Sequence, residues 1–158
     1  MKNKSAILVI GGDSLVGSSV IHALNVQGKR VLSTTRKQHA LDSNRIFLEF
    51  ESLDLSMVPD DVGSALIIAA ATNYDRCERD PHARIINVEL IPQLATKLLE
   101  KELFVTFIST NSVFGGETPW PHEDAAHAPG IPYAQQKSDG EKAIRESAKQ
   151  LGAENELC

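Results

Sequence analysis

Short apolar runs alternate with longer segments of helical periodicity along most of the chain. Runs of strand length, rich in β-branched residues, predict five strands. They cover Ala6 to Ile10, Lys29 to Thr34, Arg45 to Phe50, Ser64 to Ala70 and Leu103 to Ile108. Apolar residues spaced three or four positions apart predict the helices Val16 to Val26, Ala83 to Glu100 and Tyr133 to Gln150. This alternation predicts an α/β fold with a doubly wound, mainly parallel sheet of about five strands and helices on both faces.

Composition indicates where the protein is expected to be located and argues against nucleic-acid, membrane and metal partners. The chain has 158 residues, 42% of them hydrophobic and 23% charged, with a net charge of -5, which suits one globular domain. Acids outnumber scattered Lys and Arg, so nucleic acid is not an expected partner. The two cysteines form no CxxC pair and no run reaches membrane-spanning length, so we expect a cytoplasmic protein without a membrane partner. The five histidines have no paired spacing, so no metal site is expected.

A glycine pattern follows the first strand. Gly11 and Gly17 frame the stretch IGGDSLVG with the spacing G-x-x-S-x-x-G. In a Rossmann-type cofactor loop, Gly11 allows the tight turn and Gly17 lets the helix pack close to the strand. Ser14, Leu15 and Val16 then lie in the first turn, whose N–H groups face a pyrophosphate. An ordinary strand-to-helix turn is the alternative interpretation.

The end of the second strand bears on which dinucleotide is bound. NAD sites commonly have an Asp or Glu here that accepts hydrogen bonds from the ribose hydroxyls, and Ser33 to Lys37 contains neither. Arg36 offers a planar cationic fork suited to a 2′-phosphate. The sequence therefore predicts NADP, with NAD as the alternative, unless Arg36 is only a solvated surface residue.

The last predicted helix begins with the stretch YAQQK. Tyr133 and Lys137 are four residues apart and lie on one helix face, so the ammonium group is expected to lower the pKa of the phenol. A tyrosine of lowered pKa can act as an acid or base near neutral pH. A further hydroxyl, as the third member of this set, is available from Ser109, Thr110 or Ser112 in FISTNSVFGG at the end of the fifth strand.

Five stretches in this order resemble the extended short-chain dehydrogenase/reductase family, within its dTDP-4-dehydrorhamnose reductase-like, sugar-nucleotide-modifying branch. They are IGGDSLVG, AAATNYDRCERDP, INVELIPQLA, FVTFISTNSVFGG and YAQQKSDGEKA, and the resemblance runs from Ile7 to about Ile144. It implies that Thr110 hydrogen-bonds the substrate oxygen and that Tyr133 exchanges a proton with it. Lys137 would lower the pKa of the tyrosine and bind the nicotinamide ribose.

The resemblance also implies a wider set of cofactor residues. Ala69, Ala70 and Ala71 match the small-residue segment that passes close to the cofactor, and Asn87 matches an asparagine that supports the neighbouring strand. For the acidic residue that reaches the adenine, Glu49 is the first choice and Asp54 the second. Ser14 replaces the family's usual glycine, from which we expect weakened or altered cofactor binding.

The family continues past this region into a substrate-binding lobe. We therefore expect residues 1–158 to form the NAD(P)-binding domain without that lobe, leaving the last strand's edge uncovered for a second copy or a partner subunit. The implied function is NADP-dependent hydride transfer on a nucleotide-linked sugar, by an oxidoreductase. The alternatives are an inactive dinucleotide-binding regulatory or scaffold subunit, and a nucleotide-sugar epimerase or dehydratase with bound NAD. Trp120 is expected to anchor the long loop or, less favoured, to stack on a sugar or base.

Overall fold

The computed structural model describes residues 4–117 and 119–158 and contains a five-stranded parallel sheet. The strands are β1 (Ala6–Ile10), β2 (Val31–Thr35), β3 (Arg45–Phe47), β4 (Val62–Ile67) and β5 (Phe104–Phe107). Their order is β3-β2-β1-β4-β5, so the direction of winding reverses at β1. The predicted fold class is confirmed, and the crevice beyond the carboxyl ends of β1 and β4 is where such sheets bind ligands.

In the part of the chain that the structure describes, five α-helices surround the sheet. They are α1 (Leu15–Val26), α2 (Tyr74–Arg79), α3 (Pro81–Ile85), α4 (Ile91–Glu100) and α5 (Pro132–Leu151). Helix α2 was not predicted from the sequence. It begins at the N-cap Asn73, whose side chain accepts a hydrogen bond from the Arg76 N–H, so a polar segment folds as a short helix. None of the described helices is long and apolar enough to cross a membrane.

Helices cover the two faces of the sheet unequally. Leu8 and Ile10 of β1 belong to the main core cluster with α4 and α5, whereas Val9 is buried outside that cluster, on the side of α1. Helix α4 contributes the fully buried Leu94 and Leu98. Helix α1 is mostly exposed and has one buried residue, Gly17, so the apolar face predicted for it is only partly covered.

The long helix predicted over Ala83 to Glu100 divides where Pro92 interrupts it. A π-helical segment, Ile86–Leu90, joins α3 to α4. Pro92 has no N–H to donate to the carbonyl four residues earlier, so the turn before it widens. The interruption of the predicted helix is therefore a π segment, and it contains the buried residue Asn87.

The outer edge of β5 is partly covered by the chain's own last residues. The Cys158 N–H donates to the Val105 carbonyl over 2.9 Å, and the Phe107 N–H donates to the Cys158 carbonyl over 2.8 Å. Leu157 forms a parallel bridge with Val105. The expectation of an uncovered last strand was thus wrong over Val105 to Phe107, while the Phe104 and Ile108 side chains remain 43% and 42% exposed.

Candidate dinucleotide and catalytic site

The glycine loop is built for close backbone approach. Gly11 has φ +97°, and a Cβ there would lie 2.7 Å from the Ala69 backbone nitrogen. A Cβ on Gly17 would collide with the Gly11 carbonyl, so a larger residue would push α1 away from the end of β1. Both positions therefore require glycine, for the reasons expected of a dinucleotide loop.

Ser14 is the N-cap of α1, and local bonds already engage its hydroxyl. The hydroxyl accepts a hydrogen bond from the Gly17 N–H over 3.0 Å and donates one to the Gly11 carbonyl over 2.8 Å. The side chains of Leu15 and Val16 are 84% and 56% exposed beside it. The remaining N–H groups of the first turn form a helix N-terminus suited to an anion, so these residues fit the pyrophosphate of a dinucleotide.

The two acidic candidates for the adenine end lie in different places. Glu49 is exposed and follows Leu48, whose N–H donates to the Thr35 carbonyl at the carboxyl end of β2. Asp54 instead lines a separate cleft with Lys97 and Lys101, at the end of α4. The Lys101 carbonyl accepts a hydrogen bond from Lys4, just before β1, so this cleft lies at the amino edge of the sheet. Glu49 is therefore on the crevice side and Asp54 is not.

A buried asparagine connects the segment after β4 to α5. The Asn87 side chain bonds both backbone groups of Ala71 over 2.9 Å and donates to the Gln136 Oε1 over 2.9 Å. Gln136 in turn donates to the Cys77 carbonyl over 2.7 Å. These bonds fix the half-buried segment Ala69 to Ala71 opposite Gly11, in agreement with the supporting role expected of Asn87.

Thr110 and Tyr133 lie together in one open cleft of about 540 Å³ at the carboxyl end of β5. The cleft is also lined by residues 72–75, and the Tyr74 ring lies 5.2 Å from the Tyr133 ring between centroids. Of the three candidate hydroxyls, Thr110 is the one that lines this cleft. Ser109 donates a hydrogen bond to Glu141, and Thr110 itself donates one to Ser112. Two of the three proposed catalytic residues are thus brought together.

Lys137 is placed differently from the expectation. Its side chain is buried, its Nζ donates to the Ile108 carbonyl over 2.7 Å, and the ammonium lies 3.8 Å from the centroid of the Phe107 ring. Burial lowers the pKa of Lys137 to about 8, against the opposing charge of Glu141. Burial raises the pKa of Tyr133, and nearby Tyr74 and Cys77 add to this rise while a bond with Thr110 opposes it. The sequence predicted that Lys137 lowers the pKa of Tyr133, whereas in this structure that pKa is raised.

Glu141, one turn beyond Lys137, is a nearly buried carboxylate at the centre of a polar group that the sequence did not indicate. It accepts a hydrogen bond from Ser109 and lies 3.7 Å from His127 and 3.6 Å from Arg145. His127 also bonds the Ser138 hydroxyl over 2.8 Å. The group ties the loop before α5 to the helix and holds a carboxylate close to the buried ammonium group.

For several other residues the structure adds to or corrects the sequence-based prediction. Arg36 is exposed just after β2, as predicted, but the carboxylate of Asp13 also reaches this strand end. Tyr74 was not singled out, although it follows the alanine segment in the stretch ATNYD. Trp120 is 94% exposed, so it does not anchor the loop. Among the described residues no three His, Cys, Asp or Glu side chains converge as a metal site would require.

Comparison with known proteins places these features in a family. Residues 5–152 match the model of the RmlD substrate binding domain. A probable low-salt glycan biosynthesis reductase, Agl14 of Haloferax volcanii, is 30% identical over 87% of this chain and 48% of its own length. Methionine adenosyltransferase 2 subunit beta of Pongo abelii is 28% identical over 93% of this chain and 44% of its own.

A solved structure agrees with the fold. MoeE5 in complex with UDP-glucose and NAD has a TM-score of 0.81 and 24% sequence identity, over 96% of this chain and 51% of that one. At this identity the similarity shows the fold. The chain spans about half the length of the curated relatives that it matches.

Proposed function

The chain belongs to the RmlD substrate-binding-domain family, among the extended short-chain dehydrogenases/reductases, and from this we propose that it binds an NAD(P) dinucleotide and acts on a nucleotide-linked sugar. The placement of Thr110 and Tyr133 in one cleft, beside a glycine loop that fits a dinucleotide, carries the proposal. The reductase Agl14 and the UDP-glucose and NAD complex of MoeE5 support the substrate and cofactor classes.

The reaction we favour is reduction of a sugar carbonyl, as in a dTDP-4-dehydrorhamnose reductase. When bound, the dinucleotide supplies the hydride. The Tyr133 phenol is protonated at neutral pH and donates that proton to the substrate oxygen. Its raised pKa makes it a weaker acid than the lowered pKa that the sequence predicted. Thr110 donates a hydrogen bond to the same oxygen after its hydroxyl rotates away from Ser112, and Lys137 supports the site through its bond to Ile108 just after β5.

The first experiment separates binding from catalysis. NADH and NADPH are titrated into the chain by calorimetry, and reduction of a dTDP- or UDP-linked 4-keto sugar is then followed by nicotinamide absorbance. We expect dinucleotide binding, and a loss of kcat of at least about 100-fold in Tyr133→Phe with the dinucleotide Kd unchanged. Tyr74→Phe is the matched control, because it removes a hydroxyl from the same cleft without removing the proton donor. Absence of any dinucleotide binding, or an unaffected Tyr133→Phe, contradicts the proposal.

A regulatory or scaffold subunit is the second candidate. The observation that favours it is the 28% identity to a protein described as a subunit of methionine adenosyltransferase. In that case the dinucleotide binds, no nucleotide-sugar is turned over, and Tyr133→Phe has no catalytic consequence. The preference between NAD and NADP, for which Arg36 predicted NADP, depends on the charges at the end of β2.

A further inference from the structure

Asp13 of the glycine loop places its carboxylate at the carboxyl end of β2. The Thr35 hydroxyl, on the last residue of that strand, donates to the Asp13 Oδ2 over 2.7 Å. The same hydroxyl accepts a hydrogen bond from the Lys37 N–H over 3.0 Å. The Arg45 guanidinium on β3 lies 3.9 Å from the Asp13 Oδ1. The carboxylate is thus fixed in orientation, and its side chain remains 31% exposed.

This position is where nicotinamide dinucleotides are distinguished. In folds of this type, an acid at the end of the second strand accepts hydrogen bonds from the ribose hydroxyls of NAD, and a cation there favours the 2′-phosphate of NADP. The segment Ser33 to Lys37 contains no acid. The folded chain supplies one from the preceding loop, 22 residues away in sequence.

We infer that Asp13 is the residue that makes this site select NAD over NADP, against the preference that Arg36 alone predicts. The inference rests on the proposed dinucleotide binding. A 2′-phosphate carries a charge of about -1.5 to -2 at pH 7 and is repelled by a carboxylate, whereas a 2′-hydroxyl can donate to the lone pairs that Thr35 leaves open.

The three cations near Asp13 differ in how far they offset its repulsion of a 2′-phosphate. Arg45 faces the carboxylate itself, so its charge is partly balanced by Asp13 before any ligand arrives. Lys37 takes part through its backbone N–H, and its side chain is exposed. Arg36 is also exposed, where water and salt weaken its attraction for a phosphate. Removing the charge of Asp13 leaves these three cations unopposed and favours NADP.

The test measures the Kd of NAD and NADP by calorimetry for the wild-type chain, Asp13→Asn and Asp13→Asn/Arg36→Gln. Asparagine keeps an oxygen that can accept the Thr35 hydrogen bond, so the change removes charge with little change in shape. Glu146→Gln, on the exposed surface of α5, is the control with the same change in net charge. Thermal melting of each variant confirms that it is folded.

We expect wild type to bind NAD more tightly than NADP, and Asp13→Asn to shift the ratio of the two Kd values at least tenfold toward NADP. Adding Arg36→Gln should reverse part of that shift, because Arg45 and Lys37 remain, and Glu146→Gln should leave the ratio at its wild-type value. A wild-type preference for NADP, or a ratio unchanged in Asp13→Asn, overturns the inference while leaving the proposed function intact. Failure of both dinucleotides to bind wild type overturns the proposed function, and this inference with it.

Discussion

At Lys137, burial and charge act in opposite directions. The ammonium is removed from water, which lowers its pKa to about 8, while the charge of Glu141 and the Ile108 carbonyl stabilise the protonated form. In the unfolded chain the pKa of lysine is near its ordinary value of 10.5. Between these values the unfolded chain holds the proton and the folded chain releases it, so the contribution of Lys137 to stability rises with pH.

Lys137→Met should reveal this as a pH-dependent difference in unfolding. Relative to the variant, the wild-type chain should gain ~1–2 kcal/mol between pH 7 and pH 9.5. Urea unfolding at several pH values measures the difference, and groups common to both proteins cancel. Lys142→Met, at an exposed position of the same helix, should show no such trend. A difference that stays flat, or falls as pH rises, would contradict the assigned burial.

The sequence predicted the roles of individual residues well where those roles depend on a local pattern. The requirement for glycine at Gly11 and Gly17 followed from the spacing, whereas the choice of Thr110 beside Tyr133 came from the family resemblance. Asp13 was missed because its partner Thr35 meets it only after β1 and β2 pair. The orientation of Lys137 was missed because it depends on the Ile108 carbonyl, 29 residues away.

At the scale of elements, α5 and the π segment approach so closely that one position must be glycine. A Cβ on Gly140 would lie 2.7 Å from the Asn87 backbone oxygen. The contact aligns α5, which carries Tyr133 and Lys137, with the segment that supports Ala71. A helical glycine is normally unfavourable, so close packing accounts for this one.

Gly140→Ala should therefore destabilise the fold even though alanine favours helix by about 1 kcal/mol. We expect the free energy of unfolding to fall by about 1–3 kcal/mol, because the helix must shift to admit the methyl group. Lys142→Ala, two positions further along α5, tests helix propensity without the contact and should be neutral or slightly stabilising. A stabilised Gly140→Ala in urea unfolding would exclude the close approach.

The elements whose bounds were well predicted have strong local signals at both ends. Strand β1 is followed directly by the glycine turn, and α5 starts at Pro132 and ends before Gly152, which has φ +66°. Strand β3 ends at Phe47, short of the predicted Phe50, and β4 begins at Val62, earlier than predicted, because pairing with neighbours sets their ends. Single-sequence patterns contain no information on those neighbours.

At the scale of the molecule, β5 is the outermost regular strand among the described residues, and Leu157 and Cys158 extend its hydrogen bonding. Their two backbone bonds satisfy the Val105 carbonyl and the Phe107 N–H, which would otherwise lie on an open edge. The partly exposed Phe104 and Ile108 side chains lie on the same strand or just beyond it. Backbone pairing by Leu157 and Cys158 thus protects an edge that also carries apolar surface.

Deleting Leu157 and Cys158 should lower the free energy of unfolding by about 1–3 kcal/mol and promote self-association. The reason is the loss of both inter-strand bonds at the β5 edge. Urea unfolding and sedimentation velocity measure the two effects. Cys158→Ser keeps the backbone bonds and should match the wild-type chain in both. A deletion variant as stable and as monomeric as Cys158→Ser would show that the bridge does not protect the edge.

The bonds made by Asn87 tie one wall of the crevice together. The Ala71 backbone, the side chain of Asn87 and the Gln136 amide are joined in series, and Gln136 continues to the Cys77 carbonyl. A hinge between the end of β4 and α5 would have to break this series of bonds inside the core. Opening of the crevice at this wall would therefore cost these buried hydrogen bonds.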